Sequence, residues 1–248
     1  MRNNLLRSEK RIRKTITALR IVTALILIFM GFVTAHIVTC MRCGGEGVVC
    51  GKISLVTYAD RYRDDEGKTE SVHSFDKLEN GDILVTDSVH TAGWRHGHVA
   101  VVIDKDEGLI LEAVTFGVPT KIRNVERWES YANVAQLRIK DDVARQVLNA
   151  NQLARVEGLS DSEILGLYIS EFARENIHEL DYGFIPSMKE KAPAINELTK
   201  THCAHLVWYL YMTFGLDLDS DGGFVVTPDD ILNSEKLEIV ETFGISQV

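Results

Sequence analysis

A chain of 248 residues with 45% hydrophobic and 25% charged content is long enough and apolar enough to bury a sizeable core. Its net charge of −9 hides an asymmetry: residues 1–20 hold seven basic side chains (Arg2, Arg7, Lys10, Arg11, Arg13, Lys14, Arg20) against Glu9, a net of +6, leaving −15 on the remainder. An acidic body with no basic stripe excludes nucleic acid as the expected partner.

The basic start leads into Ile21 to Val38, apolar apart from Thr23, Gly31, Thr34 and His36. Residues 1–38 therefore read as a secretory signal or a single membrane anchor. Val33-Thr34-Ala35 offers small residues for cleavage after Ala35, while the run is nearly long enough to stay as an uncleaved anchor. A positive amino end stays in the cytoplasm, so the body is expected outside, held at the cell membrane or secreted. Thr39 immediately before Cys40 argues against a lipoprotein signal.

Residues 39–74 read as a linker. Cys40, Cys43 and Cys50 lie around its Gly-rich part, and no nearby fourth ligand completes a zinc set, so thiols or a disulfide are expected. The organised domain is expected over 75–248. Asn80-Gly81 predicts a turn feeding a strand through Val85, His90 to His96 a loop, and His98 to Ile103 and Leu109 to Val114 the arms of an antiparallel hairpin. Further strands are expected in Gly117–Arg123 and Val134–Ile139, with a short helix or turn at Trp128–Tyr131. From Asp141 the period becomes helical, toward Gly158, and Ser160-Asp161-Ser162-Glu163 forms a capping box before another helix. Leu180 to Ile185 is expected to be extended and Ser187 to Lys200 irregular. Thr201 is placed to cap a helix beginning at Cys203, whose apolar residues 203, 206, 207, 210, 211 and 214 form one stripe. An Asp/Gly-rich turn, a strand at Phe224–Val226, a short helix from Pro228 and a final strand from Lys236 to Phe243 close the chain. Strands, then helices, then strands predict an α+β fold.

Cys203 in a first helical turn would meet unpaired N–H groups and a dipole that favour a thiolate. Acyl transfer by such a thiolate needs a histidine base and a group to hold the imidazole. His98 opens a strand after Gly97, and a tight hairpin centred near Lys105 puts Glu112 opposite it, where a carboxylate among apolar neighbours needs a partner. His96 is a candidate substrate contact and His202 a candidate for the oxyanion site, whereas His205 reads as a surface residue. A zinc site from His96, His98 and Cys203 finds no recognisable ligand spacing.

Gly81-Asp82-Ile83-Leu84, Gly97-His98-Val99-Ala100-Val101-Val102, Leu111-Glu112-Ala113 and Cys203-Ala204-His205-Leu206-Val207-Trp208, with Asp217 to Gly223 and Val226 to Ile231 after them, occur in a telling order. Over roughly Leu78 to Val240 the chain resembles the permuted papain-like hydrolases, the YiiX-like branch of the NlpC-type cysteine peptidases and amidases. That resemblance implies a circularly permuted papain-like fold, an antiparallel sheet packed against the cysteine helix. It also implies Cys203 as nucleophile, His98 as general base, Glu112 as the residue orienting it, and the Cys203 N–H in an oxyanion hole. Many relatives carry tyrosine where this chain has His202, and the insert from Asp141 to Ile177 matches nothing in the pattern. With export, the resemblance implies cell-wall peptides (muropeptides) as substrate class and no cofactor. A lipid acyl hydrolase or transferase using the same residues, and a non-catalytic cell-envelope binding module, are the competing readings. Asp217, Asp219, Asp221 and Gly222 resemble the front of a calcium loop, but Pro228 at the twelfth position breaks that pattern. A turn without metal is expected there.

Overall fold

The computed structural model describes residues 2–42, 45–47, 57–91, 94–115, 117–177, 179–183 and 191–244. It is a mixed α+β structure with an antiparallel sheet and an apolar amino-terminal helix. Helix α1, Arg2–Arg42, contains the span Ile12–Gly31, long and apolar enough to cross a membrane, and every side chain in that span is exposed. The helix runs past the expected boundary at Val38 and takes in Cys40, whereas Cys43 and Cys50 lie outside the described residues.

Two short strands follow, β1 (Gly45–Gly47) and β2 (Thr57–Asp60). The body continues with β3 (Ile83–Thr86), β4 (Val89–Thr91), β5 (Trp94–Arg95), β6 (His98–Asp104), β7 (Leu109–Glu112), β8 (Lys121–Asn124) and β9 (Val134–Ile139). After them come α2 (Asp141–Val147), α3 (Ala150–Leu153), α4 (Asp161–Asn176), β10 (Asp181–Tyr182), β11 (Lys200–Thr201), α5 (Cys203–Met212), α6 (Pro228–Leu232) and β12 (Leu237–Phe243). Six strands make one antiparallel sheet in the order β12-β9-β3-β6-β7-β8.

Strand alternation divides the core between the sheet's two faces. Val99, Val101 and Ile103 of β6 pack with Ile164, Leu165 and Ile169 of α4 and Leu206, Val207 and Leu210 of α5. Ala100 and Val102 face the other way, onto Phe75, Val125, Trp128 and Tyr131. Helix α5 is buried almost all round, from Cys203 through Tyr211, rather than along one stripe. A helix so placed must satisfy its polar atoms internally. Trp208 Nε1 donates to Asp217 Oδ1 at 2.6 Å, Tyr209 Oη to the Pro193 carbonyl at 2.8 Å, and Tyr211 Oη to the Gly81 carbonyl. Each fully buried leucine or valine on it contributes about 1.5–3 kcal/mol.

The first turn of the domain is locked by glycine. Gly81 has φ +83°, and a Cβ on Gly166 would lie 1.7 Å from the Asn80 carbonyl oxygen, so α4 touches this turn backbone to backbone. The neighbouring Asp82 is fully buried and is held by Arg138 Nε at 2.7 Å, Gln136 Nε2 at 2.6 Å and the Glu79 N–H at 2.8 Å. Burial pushes its carboxyl pKa up against the pull of Arg138. The Gly81-Asp82 pair is thus a fastener between β3 and β9.

Several local expectations differ from the structure. Residues 57–74, read as linker, are built into the body: β2 pairs β4, Arg61 bridges Tyr131, and His73 Nε2 bonds the Tyr131 carbonyl at 2.8 Å. Their partners lie 30–70 residues away, out of reach of a local reading. The His90–His96 loop carries β4 and β5, which pair. The helix from Asp141 breaks at Leu148, which is extended, and Asn149 restarts it with its own capping box. Ser160 and Glu163 form the capping box read from the sequence. Phe224–Val226 is not a strand, and Phe224 is exposed.

Gly166→Ala is expected to cost about 3 kcal/mol or more, because the methyl group would collide with backbone rather than with a side chain that can turn. Gly158→Ala, with φ +85° but nothing within 4 Å, should cost only about 1–2 kcal/mol. Urea unfolding of both variants checks the difference.

Candidate active site

His98 is the first residue of β6 and Cys203 the first of α5, and α5 lies on β6. Gly97 makes that strand start possible. Its φ is +69°, and a Cβ there would lie 2.7 Å from the Thr86 carbonyl oxygen and 3.0 Å from Pro228 Cβ.

Glu112 is the last residue of β7. The hairpin register pairs it with Ala100, not with His98, because the turn and a bulge between Val102 and Asp104 shift the ladder by two positions. A two-residue shift preserves the face, so the two side chains meet diagonally. His98 Nε2 lies 2.9 Å from Glu112 Oε2. An ionised carboxylate only accepts, so Nε2–H is the donor and Nδ1 is the ring nitrogen left for the thiol. Trp128, in the 3₁₀ turn Val125–Ser130, stacks on His98 at 5.4 Å between centroids and donates Nε1–H to the same Oε2 at 3.4 Å. Arg123 Nε stands 3.3 Å from Oε1.

All three groups of the line are buried: Cys203 is 6% exposed, His98 5% and Glu112 2%. Burial alone opposes every one of the charges. For Cys203 it pushes the thiol up, but hydrogen bonds from His202 and His98 and their charge bring it down to about 5. For His98 burial pushes down, yet the bonds to Cys203 and Glu112 hold it well above its ordinary 6.5. Burial would raise Glu112, and His98, Arg123 and Arg127 outweigh it, so the carboxylate stays ionised. The pair at neutral pH is therefore thiolate and imidazolium.

His202, not Thr201, is the cap residue of α5. It is extended, makes no side-chain cap, and turns its ring to the Cys203 sulfur. Thr201 instead ends β11, and its hydroxyl lies 2.8 Å from His205 Nδ1. His205 is buried, not superficial: its Nε2 bonds the Lys191 carbonyl at 2.8 Å, and burial lowers its pKa to about 4, which makes it a neutral structural residue. His96 is half-buried, donates Nδ1–H to the Gly97 carbonyl at 2.9 Å, and is pushed down by burial while the Cys203 charge pulls it up. It borders the thiol without entering the bonded line.

Tyr182, Trp128 and Arg123 escaped sequence reasoning. Tyr182 is placed by the parallel pairing of β10 with β11, which sets it beside Thr201. Burial raises its phenol, and the nearby Cys203 charge raises it further, so it stays a neutral hydroxyl close to the sulfur. A tryptophan in Asn124–Ser130, where Val125 is the other apolar residue, was the visible hint of the stacking partner.

Outside this line, Asp219, Asp221 and Asp230 each bring a carboxylate oxygen within 4.8 Å of the others. Their oxygens already have donors on the chain. Lys191 Nζ pairs with Asp219, the Gly223 N–H with Asp221, and the Thr227 N–H and hydroxyl with Asp230 at 2.7 and 2.6 Å. The three carboxylates are thus held by Lys191 from outside the turn, by backbone N–H groups and by the Thr227 hydroxyl.

The chain matches no family model, no curated protein and no solved structure.

Glu112→Gln keeps the shape of the acceptor and removes its charge. The pH at which Cys203 becomes reactive to iodoacetamide should rise by about 1–2 units, since an ionic partner is worth that much to a buried titrating group. Alkylation rates measured across pH in both proteins check this; superimposable profiles would show that the carboxylate charge does not reach the thiol.

Proposed function

We propose that the chain is a cysteine hydrolase of permuted papain-like fold, cleaving amide bonds in peptides of the cell wall. The observation that carries the reading is the continuous buried line Cys203–His98–Glu112, with the 2.9 Å bond from His98 Nε2 to Glu112 fixing which ring nitrogen serves the sulfur. Its substrate class rests on the motif resemblance and on the basic, apolar amino terminus.

In this mechanism the Cys203 thiolate attacks the amide carbonyl, and the C–S bond forms as the carbonyl electrons move to oxygen. The Cys203 N–H, at the positive end of α5, faces the oxyanion, and the Tyr182 hydroxyl is a second donor within the same surroundings. Collapse of the tetrahedral intermediate breaks the C–N bond, and His98 delivers its Nδ1 proton to the departing amine. His98, now neutral, takes a proton from water, whose oxygen attacks the thioester. The acid leaves, and the thiolate–imidazolium pair is regenerated. Glu112 stays ionised throughout and holds the ring. Helix α1 serves as the membrane anchor or export signal, with the body outside.

Purified protein incubated with muropeptides and, separately, with N-acyl lipids should release new amine and carboxylate ends from the peptides, read by mass spectrometry. Cys203→Ala should abolish release, and His98→Ala should lower kcat/KM by about 10³-fold, in the range expected for loss of a general acid–base. Products from the lipids alone would move the activity to acyl lipid hydrolysis. No product from either, with an unreactive thiol, would leave a binding module.

Expressed in a bacterium with α1 intact, the body should be cut by protease added outside the inner membrane, while the basic first 20 residues stay protected. Protection of the body would reverse the assigned orientation.

A further inference from the structure

A buried histidine–glutamate pair has two arrangements available. It can remain an ion pair, or the proton can pass from Nε2 to the carboxylate and leave two neutral groups, which burial favours. Only the first keeps the imidazolium that a Cys203 thiolate needs. Glu112 and His98 do not decide between these by themselves.

Arg123 stands where the choice is made. It comes from β8, whose register pairs Lys121 with Glu112 and Arg123 with Ile110, so the guanidinium reaches diagonally across one strand interval. Arg123 Nε lies 3.3 Å from Oε1, the oxygen that His98 and Trp128 leave unused, and its side chain is 29% exposed while that of Glu112 is 3% exposed. The arginine thus joins a buried carboxylate to a side chain that is itself partly exposed. Four charges then alternate along one line: thiolate, imidazolium, carboxylate, guanidinium.

Resting on the hydrolase reading above, we propose that Arg123 is a positioning residue for the reaction: by binding Oε1 it holds Glu112 as an anion with Oε2 aimed at His98, and so keeps His98 charged beside Cys203. Arg123 acts through Glu112. The charged and titratable groups facing the line from other elements are His96 before β6, Lys121 on β8, Arg127 in the 3₁₀ turn, Tyr182 on β10 and His202 at the start of α5. Of the two arginines near Glu112, Arg123 is paired with the carboxylate oxygen that His98 leaves unused, and Arg127 lowers the carboxyl pKa through its charge.

The test is the acid limb of Cys203 alkylation, followed in the full-length protein, which needs no substrate. Arg123→Gln should shift that limb upward by about one unit, because a carboxylate losing a neighbouring cation protonates at higher pH and takes the imidazolium with it. Arg123→Lys keeps the charge and should bring the limb back to within about half a unit of wild type. With muropeptide as substrate, kcat for Arg123→Gln should fall about tenfold with KM unchanged. A glutamine variant whose limb superimposes on a low wild-type limb overturns the proposal, even if its melting temperature falls, since the arginine would then only support an edge strand. A lysine variant displaced as far as the glutamine variant overturns the electrostatic account of Arg123. A wild-type thiol that titrates as an ordinary one overturns the hydrolase reading and this proposal with it, an outcome distinct from the other two.

Discussion

The structure depends on one constraint: three ionisable groups are taken out of water together, and none of them can be charged alone. Cys203, His98 and Glu112 are each almost fully buried, and for each the largest single influence is burial, which opposes its charged form. What reverses the balance is order. Each charge has the opposite sign next to it at hydrogen-bond distance, so the field of one offsets the desolvation of the next. Removing one member leaves its neighbour buried and uncompensated, a costlier state than never having buried the pair.

The fold serves this line by bringing the first residue of β6 and the first residue of α5 together. β6 begins at His98 because Gly97 passes too close to the Thr86 carbonyl and Pro228 for any side chain. α5 begins at Cys203 because the extended His202 breaks from β11 and leaves the first-turn N–H groups uncapped. The helix is then fixed along its length, by Tyr211 to Gly81 and by Trp208 to Asp217, and α4 holds the Gly81 turn through Gly166. These contacts are remote from the sulfur, yet they decide where the sulfur sits relative to the imidazole.

Much of the framework was legible in the sequence, for stated physical reasons. Apolar β-rich runs marked β6 and β7, a strand was expected where β9 lies, and the Ser160–Glu163 box marked the start of α4. The His98–Glu112 pair was found by counting across a hairpin, and the count was off by two. It still named the right residues because strand side chains repeat every second position, so an even slip keeps the face. An odd slip would have lost the pair. The features that stayed hidden depend on distant partners: β2 on β4, Tyr182 on the β10–β11 pairing, Arg123 on the β7–β8 register. Thr201 looked like a cap and instead serves His205, a choice set by tertiary packing and not by its neighbours in sequence.

Cys203 is held as a thiolate at neutral pH by the hydrogen bonds that His202 and His98 direct at its sulfur and by the imidazolium charge of His98. Thiolate ultraviolet absorbance, titrated in the native protein and corrected with Cys203→Ser, measures that charge without any substrate or reagent. A transition centred at about 5 is expected. A transition centred near about 8.5, where an unperturbed cysteine titrates, would contradict it.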